Sequence, residues 1–305
     1  MIAHLRDWAR ERFPLAYGAF FALLYLLALF VGRSSRPGPI EVSWRDAPGL
    51  IALWLFFLWL RVLDEHKDYE KDRVAHPSRV LQRGLITLKD LRIVGGLAVA
   101  IQLGVSLWLD GGVGPVTTWW FVALVWSVLM AHEFFVSQWL RRHIMWYAFS
   151  HMVVMLPLVV WAATMGSPDA SRAPATWMLM LLVYVSGLAF EIGRKMRAPD
   201  DEHPLADSYT QSLGVRGSTI LLSLVVALAS VLTLATSNVV DGRIPSFMIV
   251  AAVAGVVLAV GVIQQFRQRP ERRAAKRLQA GVGVSILTMH GALLATVIQL
   301  RSVAW

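Results

Sequence analysis

Long apolar runs recur along the whole chain, and they constrain its fold more than any other feature of the sequence. A run of about 20 largely apolar residues is long enough to cross a lipid bilayer as an α-helix. The composition agrees, since 56% of the 305 residues are hydrophobic and 16% are charged, whereas a soluble domain carries roughly 25% charged residues. The sequence therefore predicts an all-α, polytopic membrane protein.

We expect about nine transmembrane helices in a single bundle, which forms one domain over residues 1–305. The predicted spans are 14–32, 47–64, 91–109, 114–135, 143–164, 174–193, 216–237, 246–266 and 279–300. Residues 1–13 mix apolar side chains with arginines, which is typical of an interfacial helix. The longest predicted loops are 64–90 and 194–215.

Basic residues are distributed unevenly between the predicted loops. The N-terminal segment and the loops after the second, fourth, sixth and eighth spans hold most of the lysines and arginines. Cytoplasmic loops are enriched in these residues, so we expect a cytoplasmic N-terminus and an external C-terminus. The same rule accounts for the net charge of +9. We therefore expect contact with membrane lipids and no nucleic-acid partner.

A charged segment, "DEHKDYEKDRVAHPSRVLQRG", follows the second predicted span directly. Asp64, Asp68 and Asp72 are spaced four apart, so a continuing helix would place them on one face. Carboxylate oxygens suit a hard cation such as Mg²⁺, which shares its coordination shell with substrate phosphates. Cations that could grip the same phosphates are Lys67, Lys71, Arg73, Arg79 and Arg83. A metal–diphosphate site is one interpretation, and a solvated helix with alternating charges is the other.

This segment resembles the first aspartate-rich motif of the UbiA superfamily of intramembrane prenyltransferases, N-D-x-x-D-x-x-x-D followed by R-P-L and a glycine. Asp68 and Asp72 match its second and third aspartates, while Asp64-Glu65 stands in place of the usual N-D pair. The later part of the motif is matched by Arg79, Leu81 and Gly84, with Val80 in place of proline. The expected number of spans and the positions of the two long loops also agree.

The resemblance implies a Mg²⁺-dependent enzyme, with Mn²⁺ as a substitute. It would ionise a polyprenyl diphosphate and transfer the prenyl group to a lipophilic acceptor, either aromatic or lipid-like. The loops after the second and sixth spans would cap a site that opens to the cytoplasm, in the plasma membrane of a bacterium or archaeon. A UbiA-type terpene cyclase acting on the diphosphate alone is the main alternative. An ion or lipid transporter fits less well, because five of the predicted spans are almost free of acids.

The second acidic motif of the superfamily, often similar to R-E-I-x-K-D-x-x-D, is altered in "FEIGRKMRAPDDEHP". Glu191 matches, but Lys195 stands where an aspartate is expected and Arg194 precedes it. Acids return only at Asp200 and Asp201. Two hypotheses stay open. The two cations bind the diphosphate without a metal, so that the site relies on them as well as on carboxylates, or the two later aspartates fold back across the cavity after Pro199. A solvated acidic turn is the non-functional alternative for Asp201 and Glu202.

Further candidates lie on the fourth and fifth predicted spans. Arg141 and Arg142 are a predicted diphosphate clamp, although positive-inside anchoring also explains them. Glu133, Tyr147 and His151 would line the cavity or pack as hydrogen-bonded residues. The predicted catalytic residues are Asp64, Asp68, Asp72, Glu191 and Lys195. The predicted metal ligands are Asp64, Asp68, Asp72, Glu191, Asp200 and Asp201. The predicted diphosphate-binding residues are Lys67, Lys71, Arg79, Arg83, Arg141, Arg142, Arg194 and Lys195.

Overall fold

The computed structural model of the chain describes residues 2–202, 207–301 and 303–304, most of which are helical. The helices are α1 Ile2–Arg12, α2 Gly18–Ser34, α3 Asp46–Lys67, α4 Tyr69–Ala75, α5 Leu88–Asp110, α6 Pro115–Ala131, α7 Ser137–Arg142, α8 Ile144–Met152, α9 Met155–Gly166, α10 Pro174–Arg194, α11 Tyr209–Asp241, α12 Ser246–Gln268 and α13 Arg272–Arg301. Short 3₁₀ turns lie at Leu15–Tyr17, Glu133–Phe135, Pro168–Arg172 and Pro199–Asp201. Two short strands, β1 Ile40–Glu41 and β2 Val303–Ala304, pair in parallel.

Seven helical segments of the described residues are long and apolar enough to cross a membrane. They are α3, α5, the segment Ile144–Gly166 that joins α8 and α9, α10, α11, α12 and α13. The shorter apolar helices α2 and α6 lie where the first and fourth spans are predicted. The all-α, polytopic fold class is therefore confirmed, while the number of spans stays a prediction.

Helices α2 and α9 approach each other backbone to backbone near their C-terminal ends. A Cβ atom added to Gly32 would overlap the carbonyl group of Ala163, and one added to Gly166 would overlap the carbonyl of Leu29. Small residues allow membrane helices to pack this closely, because in lipid their association depends on van der Waals contact. These two glycines therefore set the distance between the two helices.

Tryptophan side chains link neighbouring helices through polar groups inside the bundle. The hydrogen bonds run from Trp59 to Ser127 at 2.9 Å, from Trp120 to Gln102 at 3.0 Å and from Trp161 to Ser106 at 3.2 Å. A buried indole N–H that lacks a partner would be costly in an apolar environment. These three tryptophans therefore tie α3, α5, α6 and α9 together.

Helix α6 ends before the predicted limit of the fourth span. It stops at Ala131, and the next turn contains Glu133, Phe134 and Phe135 with φ angles of 48°, 52° and 61°. Positive φ is unfavourable for residues other than glycine, so an unbroken helix to residue 135 was the natural prediction. That boundary was wrong because the chain forms a left-handed turn here.

Helix α11 begins earlier than the seventh predicted span. Ser208 caps it, since its hydroxyl accepts the backbone N–H of Thr210 at 3.1 Å and of Gln211 at 3.5 Å. Gly214, with φ 68° and ψ 168°, interrupts the helix one turn later. Uninterrupted helix thus resumes close to the predicted start at residue 216.

One face of helix α1 packs on the protein. The Trp8 side chain is 1% exposed and belongs to a cluster with Val62, Leu81 and Leu91. The start of the chain therefore lies beside the end of α3. Strand β2 pairs with β1 just before α3 begins, so the two ends of the chain lie at opposite ends of the bundle.

Candidate active site

The first acidic motif lies where α3 passes into α4. Helix α3 ends at Lys67, and Asp68 has φ −96° and ψ 4°. Hydrogen bonds of the helical type nevertheless continue across this break, from the N–H of Asp68 to the carbonyl of Asp64 at 2.9 Å and from the N–H of Asp72 to the carbonyl of Asp68 at 2.8 Å. The aspartates therefore follow one another along a nearly helical path, as the spacing predicts.

Arginine side chains bond to two carboxylates of the motif, Glu65 and Asp72. Glu65 is 1% exposed and accepts hydrogen bonds from Arg12 at 2.6 Å and from Arg61 at 2.7 Å. Asp72 accepts from Arg79 at 2.5 Å and from Arg12 at 3.4 Å. The bonds to Glu65 and the bond from Arg79 to Asp72 are as short as charge-assisted guanidinium–carboxylate bonds. The Asp72 carboxylate, a predicted metal ligand, is thus engaged by two cations.

Two further carboxylates of the motif, Asp64 and Asp68, have few direct partners among the described residues. In the described ranges, the Asp64 side chain makes only long ion pairs, to Lys67 at 3.8 Å and to Arg61 at 3.9 Å. No hydrogen bond or ion pair to the Asp68 side chain occurs within the part of the chain that the structure describes. Burial raises the pKa of Asp68 against the attraction of Lys67. Asp64 and Asp68 therefore supply the available carboxylate oxygens.

Tyr147 connects the first motif with the second. Its hydroxyl accepts a hydrogen bond from Lys67 at 2.7 Å, and the ammonium group of Lys195 lies 4.6 Å from its ring centroid. Lys195 also pairs with Glu191 at 3.0 Å, and Arg194 donates to the same carboxylate at 2.6 Å. A cation over an aromatic face is attracted to the ring. The structure thus brings together three cations predicted to bind diphosphate.

An aromatic stack extends from Tyr147 into the bundle. The ring of His151 stacks on Tyr147 with centroids 3.8 Å apart, and Phe134 meets the histidine edge-on at 5.9 Å. His151 Nδ1 lies 2.8 Å from the carbonyl of Tyr147, while its Nε2 is buried without a hydrogen-bond partner among the described atoms. Phe134, which lies in the left-handed turn, therefore packs against the histidine ring that stacks on Tyr147.

The remaining predicted site residues are more scattered. Glu133 is buried and pairs with Arg141 at 3.4 Å. Lys71 lies 4.0 Å from Asp207 across the two long loops. The Arg83 and Arg142 side chains are exposed, and no ion pair to either occurs over residues 2–202 and 207–301.

The later acids of the second motif lie apart from the first motif. Helix α10 ends at Arg194, and Asp200 and Asp201 follow on an exposed 3₁₀ turn. Asp201 lies 3.9 Å from Arg272 at the start of α13. Across the described ranges, no hydrogen bond or ion pair joins either aspartate to the first motif. Lys195, in contrast, contacts it through Tyr147, and Glu191 pairs with Lys195.

Sequence reasoning missed the arginines behind the first motif. Arg61 was assigned only to a span, although its spacing of four residues from Glu65 on one helix was a usable signal. Arg12 is separated from Glu65 by 53 positions, and nothing in the pattern of either segment points to their contact.

The available donors suit Mg²⁺ only in part. No group of three or more Asp, Glu, His or Cys side chains that could hold a metal ion occurs among the described residues. Mg²⁺, however, keeps several waters and is commonly bound by one or two carboxylates together with substrate phosphates. Asp64 and Asp68 match that smaller donor set, and the nearby lysines match the phosphates.

Comparison with known proteins places this arrangement in a family. The UbiA prenyltransferase family matches residues 19–289, whereas no significant match is found among curated proteins. The solved structure of digeranylgeranylglyceryl phosphate synthase covers 98% of this chain and all of its own, with a TM-score of 0.68 and 13% identity.

A second solved structure supports the same fold. The apo structure of a UbiA homolog from Aeropyrum pernix K1 covers 90% of this chain and 96% of its own, with a TM-score of 0.64 and 16% identity. The family match extends over most of the chain, including both charged motifs and the helices that hold them. The chain is an integral membrane protein that belongs to the UbiA prenyltransferase family.

Proposed function

We propose that this protein ionises a prenyl diphosphate in a Mg²⁺-dependent reaction and transfers the prenyl group to a lipophilic acceptor. One observation supports the proposal above all: Asp64 lies 3.8 Å from Lys67, Asp68 follows one helical turn later, and Lys67 and Lys195 both contact Tyr147. A metal–diphosphate needs both charges, because carboxylates hold the metal and ammonium groups bind the phosphate oxygens.

The chemistry requires charge stabilisation at the diphosphate. Bound Mg²⁺ supplies electrostatic neutralisation of the leaving group. As the C–O bond breaks, the electron pair goes to the diphosphate oxygen. Lys67 and Lys195 would then stabilise the growing negative charge from fixed positions. Arg194, bonded to Glu191, would add a third positive charge.

The carbocation on the prenyl chain needs protection from water until the acceptor attacks. Water-poor surroundings prevent its capture as an alcohol. The stack of Phe134, His151 and Tyr147 closes one side of the candidate site with aromatic rings. The acceptor would bind on the prenyl side and release a proton when the new bond forms.

We further propose that the site opens to the cytoplasm, in the plasma membrane of a bacterium or archaeon. The distribution of lysine and arginine over the loops supports this side. A cap formed by the loops after the second and sixth spans is part of the proposal, supported by the long ion pair between Lys71 and Asp207.

The test uses the purified protein, geranylgeranyl diphosphate as the prenyl donor and Mg²⁺. The donor is offered with a phenolic acid, with geranylgeranylglyceryl phosphate or alone, and products are identified by mass spectrometry. We expect a prenylated acceptor in one of the first two reactions. A cyclic hydrocarbon from the donor alone would favour the terpene cyclase, and absence of any Mg²⁺-dependent diphosphate release would contradict both.

Asp68→Asn is the matched variant for this test. It removes one available carboxylate charge and keeps the shape of the side chain, so we expect a loss of turnover of at least about a hundredfold. Asp200→Asn is the control, because Asp200 lies on an exposed turn, and its turnover should equal wild type. Full activity of Asp68→Asn would remove the metal site from the first motif.

A further inference from the structure

We infer that Arg12, on the N-terminal helix, is a positioning residue for Asp64 and Asp68, the two available carboxylates of the first motif. Helix α1 would then be part of the active site. The inference rests on the proposed function and adds a residue that belongs to neither acidic motif. The observation that supports the inference is that the Arg12 guanidinium bonds to residues on both sides of the break between α3 and α4.

Arg12 contacts the chain on both sides of this break. Its Nε donates to Glu65 at 2.6 Å, before the break, and its Nη2 donates to Asp72 at 3.4 Å, after it. Asp68 lies at the break itself, and Asp64 precedes Glu65 directly. A planar guanidinium that joins the two flanks therefore fixes the angle between the helices. The contacts of Arg12 therefore hold the backbone on both sides of Asp68 and hold Glu65, the neighbour of Asp64, so they restrain the segment that carries both available carboxylates.

The charges of Glu65 and Asp72 are balanced without Arg12. Arg61 donates to Glu65 at 2.7 Å and 3.0 Å, and Arg79 donates to Asp72 at 2.5 Å. Charge neutralisation alone therefore does not require a further arginine. What Arg12 adds is the connection between the two carboxylates.

Helix α1 also has anchors that are independent of Arg12. The carboxylate of Glu11 accepts the N–H of Val80 at 3.0 Å and lies 3.9 Å from Arg79. The buried Trp8 packs in the cluster that includes Val62 and Leu81. Replacement of Arg12 should therefore leave α1 docked and change the geometry of the motif rather than the fold.

The experiment measures Mn²⁺ binding by electron paramagnetic resonance, with inorganic diphosphate and the full-length protein in detergent. We expect Arg12→Gln to bind Mn²⁺ about 10- to 100-fold more weakly, as is usual when a residue that orients metal ligands is lost. Arg12→Lys should lose most of this affinity too, because an ammonium group is a point charge and cannot bridge in the same way. The midpoint of thermal unfolding should stay close to wild type in both.

Arg10→Gln is the control, since Arg10 is an exposed arginine on the same helix, and it should bind Mn²⁺ as wild type does. Wild-type affinity in Arg12→Gln would overturn the inference. If that variant does not fold, Arg12→Lys decides, because wild-type affinity there would show that charge is sufficient and no bridge is needed. Failure of the wild-type protein itself to bind Mn²⁺ with diphosphate would instead contradict the proposed function.

Discussion

The three aspartates of the first motif have different surroundings, although their regular spacing in the sequence does not distinguish them. A spacing of four predicted a common stripe for Asp64, Asp68 and Asp72, and the helical hydrogen bonds follow it. The spacing could not predict that Asp72 is held by Arg12 and Arg79. Contacts between segments far apart in the chain depend on tertiary packing, which a local pattern does not encode.

Lys195 is the departure from the family motif with the clearest consequence. Its ammonium lies 4.6 Å from the centroid of Tyr147, whose hydroxyl binds Lys67. Of the two hypotheses for the second motif, this position favours direct binding of the diphosphate by a cation. The acids at Asp200 and Asp201 have no contact of that kind within the described residues.

We predict that Lys195→Ala raises KM for the prenyl diphosphate and lowers kcat. A hydrogen bond to a charged group contributes about 1.5–3 kcal/mol, so kcat/KM should fall by roughly 10- to 100-fold. Lys195→Arg should retain more activity because it keeps the charge. The measurement is steady-state turnover across a Mg²⁺ titration.

Lys276→Ala, at an exposed position near the start of α13, is the control for this prediction. It removes a lysine of the same predicted membrane side without touching Tyr147. If Lys195→Ala matched wild type at every Mg²⁺ concentration, the lysine would have no part in diphosphate binding.

At the level of helices, sequence patterns located the elements better than their ends. Apolar length identified α3, α5 and α10 to α13 because crossing a bilayer imposes a minimum length. The end of α6 was missed, since the left-handed turn from Glu133 to Phe135 contains no glycine to mark it. The interruption of α11 at Gly214 carries such a mark, and the predicted span began just after it.

We predict that Gly32→Ala destabilises the protein through the contact of α2 with α9. The added methyl group would overlap the carbonyl of Ala163, and overpacking of this kind costs about 1–3 kcal/mol. The midpoint of thermal unfolding in detergent, followed by circular dichroism, should fall.

Gly104→Ala in α5 is the matched control, because a Cβ atom added there would have no heavy atom of another residue within 4 Å, apart from its own helix backbone and chain neighbours. A helical glycine in open space is replaced by alanine at a gain of about 0.5–1 kcal/mol. Its unfolding midpoint should therefore stay constant or rise. Equal midpoints for Gly32→Ala and wild type would mean that α2 and α9 pack less closely than described.

The whole molecule has its chain ends at opposite ends of the bundle. Helix α1 packs beside the end of α3, next to the candidate active site, whereas β2 pairs with β1 near the start of α3. An odd number of membrane crossings separates two such ends. The predicted count of nine meets this condition, and the basic residues predict which end is cytoplasmic.

We therefore predict that a reporter inserted after Ser78 lies in the cytoplasm and that one fused after Trp305 lies outside. Ser78 is exposed in the segment that follows α4, so an insertion there should disturb the bundle little. The measurement is a pair of reporters, alkaline phosphatase for the outside and green fluorescent protein for the cytoplasm.

An insertion after Pro37 is the internal control for this prediction. It precedes β1, the partner of β2, so it must report the same side as the C-terminal fusion. Agreement between the Ser78 and Trp305 reporters would require an even number of crossings and would contradict the placement of the chain ends. Reversal of both reporters would keep the fold but move the diphosphate site to the outer face, where the positive-inside rule does not place it.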